Sequence, residues 1–421
     1  MRNTAAFIAG LLLSASTAAA QSNVVQQLDT YITPFANAGH FSGEVYVARN
    51  GQTLYNKAFG YANAELGVRN AVDTRIGIAS ITKMMTDVIV TNLAVEKKIS
   101  FADHVSKFIP DFPNGDRITV DMLYRHRSGI PHRVMPPEME TVPYTSEEMI
   151  EKIKLAKLAF EPGTRRLYSS AGYTVLARVL ELASGKSYSE LLDQYVFKPA
   201  GMKNSVQFDA GAIIARRAND YLVDEHGIFN APAKDYSFLV GAGSVLSTAA
   251  DVHAFAMAIT NGAYGDSVRA SYLANKRLVG TGSTNGHSAE LRVDGTSGYS
   301  YAVVSNVNSG ANAVIIQAIR DIMEGRQPAA IPVAKPVIVA RTPADLAQYL
   351  GDYEHESGSG FTTMVKNGSL FAGDNRLIPT GKDCFFDFKY YGNVCFIRDG
   401  KGAITHIDWA SPGNTSKWIR K

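Results

Sequence analysis

The sequence predicts an α/β (α+β) fold in which helices flank an antiparallel sheet beside an all-helical region, followed by a small all-β, barrel-like domain. A strand hairpin precedes the helical part of the chain, with Asn50-Gly51 as its two-residue turn. Apolar residues at helical spacing then dominate residues 81–260, and strand-like segments return after residue 288. Short aromatic segments separated by glycine and asparagine fill the last part of the chain, which is typical of a small all-β domain.

Two strand hairpins are predicted to share one sheet. They are residues 41–48 with 53–59, and residues 289–293 with 299–304 joined through Asp294-Gly295. Helical spacing covers residues 81–96, 146–156, 171–182, 189–196, 249–260 and 311–324. Because the strands come from both ends of this region and the helices lie between and after them, we expect one antiparallel sheet with helices packed on it.

The first twenty residues are predicted to be a cleavable signal peptide. Arg2 gives a positive start, residues 5–13 form a short apolar stretch, and three alanines at 18–20 precede Gln21. No later stretch of the sequence is predicted to span a membrane. We therefore expect a periplasmic or secreted protein without a membrane span.

The composition along the rest of the chain predicts a main domain, a linker and a C-terminal domain. Residues 24–326 are predicted to form the main domain, and the proline-rich residues 327–342 are predicted to form a linker. Residues 343–421 are predicted to form the small all-β domain.

Composition also excludes some classes of function. The chain is 46% hydrophobic and 19% charged with a net charge of +3, as in an ordinary globular protein. No basic tract indicates a nucleic-acid partner, and the nine histidines have no metal-like spacing, so neither nucleic acid, a metal nor another cofactor is expected.

The two cysteines, Cys384 and Cys395, both lie in the predicted all-β domain. An oxidising compartment favours a disulfide between them. A turn at residues 391–393 would not place them directly opposite each other on neighbouring strands, so the sequence leaves their pairing open.

Ser80 and Lys83 carry the strongest chemical signal. They form the only place in the sequence where a serine stands three residues before a lysine, and they open the apolar helical run from residue 81. Positions i and i+3 share a helix face, so the amine can reach the hydroxyl and activate it as a nucleophile. The competing interpretation is a helix N-cap serine beside a solvated lysine.

Tyr168 is the second candidate. It stands at a predicted loop-to-helix junction in Tyr168-Ser169-Ser170, where a phenol can relay a proton or carry a phenolate if nearby cations lower its pKa. The competing interpretation is a packed surface tyrosine. Tyr61, Tyr144 and Tyr391 head similar tripeptides. Tyr61 precedes the serine, Thr145 in the second tripeptide fits a capping box with Glu148, and the third tripeptide fits a turn.

Several blocks in a fixed order resemble the serine β-lactamase and penicillin-binding-protein family, in the branch of class C β-lactamases, D-alanyl-D-alanine carboxypeptidases and related esterases. The blocks are residues 41–43, 80–83, 126–131, 162–164, 168–173, 198–202 and 243–251. The resemblance implies a β-lactamase/transpeptidase-like fold with Ser80 as the acylated nucleophile. It further implies Lys83 as the general base and Tyr168 as the group that passes a proton to the leaving group. Ser170 stands where the family more often has asparagine.

The third motif of the family departs from its usual form, a cation, a small residue and a glycine on the strand beside the active site. Aligning the pattern on residues 279–288 places Thr281 at the position of the cation and implies substrate contacts by Thr281, Gly282, Ser283 and Thr284. The backbone N–H groups of Ser80 and Thr284 would then form the oxyanion hole. The alternative places the motif at His287, which leaves little chain before the next strand, so we prefer the first alignment.

The resemblance favours an exported serine hydrolase that acts through a Ser80 acyl-enzyme on a small ester, amide or peptide, as an esterase, a D-amino-acid peptidase or a carboxypeptidase. Without the cation, substrates with a free carboxylate are expected less than esters or uncharged amides. The main alternative is a catalytically silent penicillin-binding-like protein that binds peptidoglycan fragments or another ligand. A third hypothesis is a structural cell-envelope protein that binds through its C-terminal domain, which resembles the small lipocalin-like modules of some relatives.

Overall fold

The computed structural model describes residues 23–273, 277–330, 333 and 337–421. These residues form two compact units. The larger unit contains Ser42–Tyr221 and Asn230–Asn306, and the barrel unit contains the described residues up to Phe41 together with Leu222–Phe229 and Val307–Lys421. The predicted signal peptide, residues 1–20, lies outside the described residues, and the predicted boundaries of the domains and the linker stay predictions.

The larger unit is built on a five-stranded sheet in which every neighbouring pair is antiparallel, which confirms the predicted fold class. In chain order its strands are β1 (Gly43–Arg49), β2 (Gln52–Phe59), β10 (Arg277–Ser283), β11 (Ser288–Asp294) and β12 (Tyr299–Ser305). Their spatial order is β10-β11-β12-β1-β2, so β10 lies at one edge. The two predicted hairpins therefore join at the pairing of β12 with β1.

Helices form the rest of the larger unit. They are α2 (Ile81–Val95), α3 (Val120–Tyr124), α4 (Ser146–Lys154), α5 (Ser170–Ser184), α6 (Tyr188–Leu192), α7 (Lys198–Ala200), α8 (Ala249–Asn261) and α9 (Asp266–Tyr272), with a π-helical turn over Asp193–Phe197. Apolar side chains of α2, α5 and α8 are buried in one core. α4 begins with the predicted capping box of Thr145 and Glu148, which satisfies two backbone N–H groups of its first turn.

Short strands connect these helices. They are β3 (Tyr61–Asn63) with β4 (Val68–Arg69), and β9 (Val245–Ser247) between β5 (Ile76–Gly77) and β6 (Val206–Gln207). β5 lies three residues before Ser80, and its pairing with β9 fixes the chain that leads into α2. This small sheet therefore positions the predicted nucleophile.

The barrel unit contains a closed eight-stranded barrel, so the small all-β domain is confirmed as a barrel. Its strands are β14 (Gly351–His355), β15 (Gly360–Lys366), β16 (Ser369–Ala372), β17 (Asn375–Pro379), β18 (Cys384–Asp387), β19 (Gly392–Arg398), β20 (Ile404–Ser411) and β21 (Asn414–Arg420). Each strand pairs with the next, and β21 pairs with β14. Closure leaves no open sheet edge, and a cluster that includes Phe385, Phe396 and Ile407 forms the barrel's core.

Cys384 and Cys395 form a disulfide and lie directly opposite each other on β18 and β19. The expectation that the turn keeps them out of register is wrong. Gly392 and Asn393 are already part of β19, so the connection ends two residues earlier than predicted, at Tyr391, whose φ is 52°.

The barrel unit also contains two long helices, α1 over residues 23–37 and α10 (Ala311–Met323). Two short helical turns, α11 (Pro343–Leu346) and Ala347–Tyr349, precede the barrel. Most residues of a small sheet of β13 (Val307–Asn308), β7 (Tyr221–Asp224) and β8 (Gly227–Asn230) belong to this unit. Across the described ranges, no helix is long and apolar enough to cross a membrane.

Candidate active site

Ser80 stands at the N-cap position of α2 but does not cap the helix. Its side chain accepts no hydrogen bond from the first turn, so the interpretation as a simple N-cap serine is wrong. The preceding residue, Ala79, has a φ of 44°, a conformation that costs a non-glycine residue some backbone strain. This bend leads into Ser80, whose Oγ bonds instead to two functional side chains.

Lys83 is buried on the same face of α2, with a relative exposure of 5%. Its Nζ donates to Ser80 Oγ at 3.2 Å, to Ser170 Oγ at 3.1 Å and to the backbone oxygen of Ala242 at 2.8 Å. Burial lowers the pKa of Lys83 to about 7, although the nearby Asp87 carboxyl opposes this by favouring the charged form. A substantial fraction of Lys83 is therefore a neutral amine at neutral pH, which can accept a proton from Ser80.

Tyr168 also contacts the serine and lies two residues before the start of α5. Its hydroxyl donates to Ser80 Oγ at 2.7 Å. Burial raises the pKa of Tyr168, the hydrogen bond with Ser80 lowers it, and Asp87 adds to the increase. Tyr168 is therefore a neutral phenol at neutral pH, which suits a proton relay and argues against a phenolate base.

Two histidines hold Tyr168 in place. The rings of His126 and His132 lie 4.6 Å and 5.3 Å from the ring of Tyr168. Their Nδ1 atoms accept the backbone N–H groups of Ser169 and Ser170 at 3.2 Å each. A neutral histidine whose Nδ1 accepts carries its proton on Nε2, so both rings are Nε2–H tautomers in this arrangement.

Ser170 is the first residue of α5 and is buried. Its hydroxyl accepts a hydrogen bond from Lys83 Nζ. Ser80, Lys83, Tyr168 and Ser170, all selected from the sequence, therefore lie in one hydrogen-bonded cluster.

The third motif lies on the edge strand β10. Gly282 packs directly against the chain around the serine, since a Cβ at this position would lie 2.2 Å from the Ile78 carbonyl oxygen and 2.8 Å from Ser80 N. Ser283 and Thr284 line the cleft that contains Ser80. Thr281 is exposed, sits opposite Glu290 of β11, and is not among the described residues that line the cleft.

The predicted oxyanion donor at Thr284 needs a correction. The Thr284 N–H donates to the His287 carbonyl oxygen at 2.9 Å, inside the β10–β11 turn. Hydrogen-bonded and non-hydrogen-bonded pairs alternate along antiparallel strands, and Ser283 is the next residue, opposite Ser288. The Ser283 N–H is therefore directed away from β11.

His287, the lower-ranked candidate for the third motif, is buried with 1% exposure and does not appear among the described residues lining the cleft. Its Nδ1 lies 3.1 Å from Asp220 Oδ1 and 3.4 Å from the Tyr236 hydroxyl. The ring also packs against Gly77, where a Cβ would come within 2.4 Å of it. His287 therefore packs against β5 and does not line the cleft.

The cleft has a volume of about 180 Å³ and contains residues that the sequence did not single out. An ion pair of Lys234 and Glu140 lines it, with side-chain exposures of 11% and 3%. The remaining lining is largely apolar and includes Val134, Met135, Met149, Phe238 and Leu239. Most of these residues lie in connecting loops and short helical turns, where no periodic pattern marks them. His126 lay within a family block, but nothing in the sequence pointed to His132.

Where the structure is described, no group of three or more histidine, cysteine, aspartate or glutamate residues is arranged to hold a metal ion.

The serine, the lysine one helical turn away and the tyrosine all lie within the residues that a family model matches. The family model described as Beta-lactamase matches residues 26–324, which is most of the chain. The chain belongs to the beta-lactamase family. This family typically contains hydrolytic serine enzymes, and the match includes every residue of the cluster around Ser80.

The individual relatives described next share less than 30% sequence identity with this chain. Teichoic acid D-alanine hydrolase of Staphylococcus aureus is 27% identical over 212 residues, which are 50% of this chain and 52% of that protein. The match thus spans about half the length of the curated relative. Among solved structures, FmtA of Staphylococcus aureus superposes with a TM-score of 0.62 at 23% identity, covering 75% of this chain and 92% of that chain.

The D-amino acid amidase of Ochrobactrum anthropi SV3 superposes with a TM-score of 0.63 at 19% identity, covering 73% of this chain and 99% of that chain. At these identities the two superpositions show a shared fold.

Proposed function

We propose that this protein is an exported serine hydrolase that forms an acyl-enzyme on Ser80 and cleaves a small ester or amide. The observation that carries the proposal is that Ser80 Oγ lies within hydrogen-bond distance of both Lys83 Nζ, at 3.2 Å, and the Tyr168 hydroxyl, at 2.7 Å. A base and a proton relay on one hydroxyl are the parts that acyl transfer requires.

In the first step, the neutral amine of Lys83 takes the proton of Ser80 while Oγ attacks the carbonyl carbon of the substrate. The carbonyl electrons move to its oxygen, which accepts hydrogen bonds from the backbone N–H groups of Ser80 and Ser283. Donors of this kind each stabilise such a transition state by about 3 kcal/mol. Ser283 replaces Thr284 in this role because the Thr284 N–H is already bonded to His287.

In the second step, the intermediate collapses and the bond to the leaving group breaks. The leaving group takes a proton from the neutral phenol of Tyr168, which regains one from Lys83. A water molecule then attacks the acyl carbon and gives a proton to the neutral Lys83 amine. The bond between the acyl carbon and Ser80 Oγ breaks, and Ser80 takes that proton from Lys83 as the acid product leaves. Ser170 and the Ala242 carbonyl hold the Lys83 amine at the serine throughout.

Substrate preference follows from the third motif. With Thr281 exposed outside the cleft, β10 supplies no cation there, and we infer that esters and uncharged amides are preferred over substrates with a free C-terminal carboxylate. The names of the relatives, a teichoic acid D-alanine hydrolase and a D-amino acid amidase, support small acyl groups as the class. Efficient D-alanyl-D-alanine carboxypeptidase activity would contradict this preference.

The test is hydrolysis of p-nitrophenyl acetate by the protein from Gln21 onward, compared with its Ser80→Ala variant. We expect kcat/KM to fall at least about 1,000-fold in the variant, since removal of a nucleophile leaves only binding and oxyanion stabilisation. Ser189→Ala, an exposed serine on α6, is the matched control and should keep wild-type turnover.

Intact-mass detection of an acyl group on the wild-type protein, absent in Ser80→Ala, completes the assignment. Equal turnover in the wild type and Ser80→Ala would rule out the proposed nucleophile. No turnover and no acylation in any protein would instead support the alternative of a silent penicillin-binding-like protein.

Export is proposed from the first twenty residues alone. It predicts that the protein isolated from the periplasm or medium begins at Gln21.

A further inference from the structure

Asp87 lies on α2 one helical turn beyond Lys83, so the two side chains share a face of the helix. A carboxylate one helical turn from a buried lysine stabilises the ammonium form of that lysine. Three features of the fold hold the carboxylate in this place: two tyrosine hydroxyls that donate to it, packed aromatic rings that connect it to the serine site, and nearby arginines.

Two tyrosines from other helices donate to the carboxylate. The hydroxyl of Tyr173 on α5 donates to Oδ1 at 2.7 Å, and the hydroxyl of Tyr272 on α9 donates to Oδ2. Both oxygens of Asp87 therefore have a donor, one from each helix that packs against α2 here. Burial raises the pKa of Asp87 to about 7, and these two hydrogen bonds and Lys83 oppose the increase by stabilising the carboxylate.

Three packed rings, those of Tyr173, His126 and Tyr168, connect Asp87 to the serine site. The ring of Tyr173 lies 5.8 Å from Lys83 Nζ and 4.9 Å from the ring of His126. His126 in turn packs on Tyr168 at 4.6 Å. The carboxylate, its phenol donor, Lys83 and the tyrosine at Ser80 thus belong to one packed cluster.

Other charged and titratable groups also face Asp87. Tyr124 on α3 lies beside it and has its own pKa raised chiefly by burial and next by Asp87. A surface cavity that reaches Asp87 is also lined by Arg125, His126, Arg127 and Arg166. Burial lowers the pKa of His126 to about 4, with Lys83 and Arg166 adding to the decrease, so His126 is neutral where Lys83 titrates. Lys83 itself faces His126, His132 and Tyr168 in addition to Asp87.

We propose that Asp87 is a positioning residue for Lys83: its carboxylate, held by Tyr173 and Tyr272, favours the ammonium form of Lys83 and thereby sets the pH above which the lysine is a base. The inference rests on the proposed function, in which Lys83 must be neutral to take the proton of Ser80. Asp87 does not contact the reacting atoms, and its effect is exerted through the protonation of Lys83.

The sign of the effect is fixed by electrostatics. A negative charge beside an amine stabilises its ammonium form, so removing that charge lowers the pKa of Lys83. In Asp87→Asn we expect Lys83 to titrate at least about half a pH unit lower than in the wild type. The acid limb of the kcat/KM profile should move to lower pH by the same amount.

The experiment measures the titration of Lys83 directly, by NMR of protein labelled with ¹³C in its lysine side chains, with the Lys83→Arg spectrum for assignment. The pH profile of p-nitrophenyl acetate hydrolysis is recorded on the same proteins. Asp111→Asn is the matched control, because Asp111 is an exposed carboxylate paired with Lys154, and it should leave the titration of Lys83 unchanged.

A second variant guards against misfolding. Tyr272→Phe keeps the Asp87 carboxyl but removes one of its donors, which favours the neutral acid and should shift Lys83 in the same direction by a smaller amount. If Asp87→Asn does not fold, this variant decides the question.

A titration of Lys83 that is unchanged or moves to higher pH in Asp87→Asn, or in Tyr272→Phe if the former is unfolded, overturns the inference even if Ser80-dependent turnover is present. Absence of Ser80-dependent turnover overturns the proposed function, while the NMR titration still decides the effect of Asp87 on Lys83.

Discussion

The protonation of Lys83 determines how the proposed chemistry depends on pH. Below its pKa of about 7 the residue is an ammonium ion and cannot accept the proton of Ser80, whereas above it the amine is free to do so. We therefore expect kcat/KM for p-nitrophenyl acetate to rise as the pH increases from 6 to 8. Because the pKa of Tyr168 is raised, its phenol stays protonated across this range and contributes no loss of activity.

Initial rates across this pH range, corrected with the Ser80→Ala protein for spontaneous hydrolysis, test this expectation. A flat profile, or one that falls with increasing pH, would contradict a neutral-lysine base.

Backbone strain is found at two residues of this site. Ala79 and His126 are non-glycine residues with positive φ, at 44° and 58°. Such conformations persist where the surrounding structure holds them, and they are common at functional sites. Here Ala79 precedes the proposed nucleophile, and His126 places its ring against Tyr168.

At the scale of elements, the close approach of β10 to the start of α2 creates the cleft. Gly282 has no side chain to separate the strand from Ile78 and Ser80. In Gly282→Ala the new Cβ would meet backbone atoms at 2.2 Å and 2.8 Å, so the strand and the serine must move apart. Misplacement by about 1 Å costs on the order of 100-fold in rate, and we expect at least this loss of kcat/KM.

Val279→Ala is the control for this substitution, because Val279 lies on the same strand and is 49% exposed. Surface substitutions usually change stability by no more than about 0.5 kcal/mol, so this variant should keep its fold and retain kcat/KM within about two-fold. Wild-type kcat/KM in Gly282→Ala would show that β10 does not shape the site. Circular dichroism of each variant separates a local effect from unfolding.

Periodicity was sufficient to predict the two hairpins and the longest helices of the larger unit. The two hairpins and the helix that begins at Ile81 appear close to the predicted bounds, because alternation and helical spacing of apolar residues reflect which face is buried. α1 was missed although Leu28, Ile32 and Phe35 are buried at helical spacing. The helical spacing of these apolar residues would have predicted α1 as well.

The functional site was less predictable where it depends on register and loops. The Ser80–Lys83 spacing encodes a contact within one helix, but the proposed oxyanion donor at Ser283 depends on which pairs of β10 and β11 are hydrogen-bonded. A shift of one residue in the pairing of β10 with β11 would place Thr284 instead of Ser283 at the proposed donor position. Spacing in the sequence does not determine that pairing. The Lys234–Glu140 pair depends on two connecting segments far apart in sequence, so no local pattern marks it.

At the scale of the whole molecule, the two units can be observed separately. The chain has two tryptophans, Trp409 and Trp418, and both lie in strands of the barrel. Tryptophan fluorescence therefore reports on the barrel unit. Far-UV circular dichroism is weighted toward the helices, most of which belong to the larger unit.

This separation allows the contribution of the disulfide to be measured where it acts. The bond joins residues 11 apart, and closing a loop of this length in the unfolded chain is worth about 2–3 kcal/mol. In the double variant Cys384→Ser/Cys395→Ser we expect the free energy of unfolding reported by tryptophan fluorescence to fall by about this amount. Urea titrations of both proteins give the value, and the wild type in excess dithiothreitol should unfold like the double variant. An unchanged midpoint in both the double variant and the reduced wild type would show that strand pairing in the barrel, without the bond, accounts for its stability.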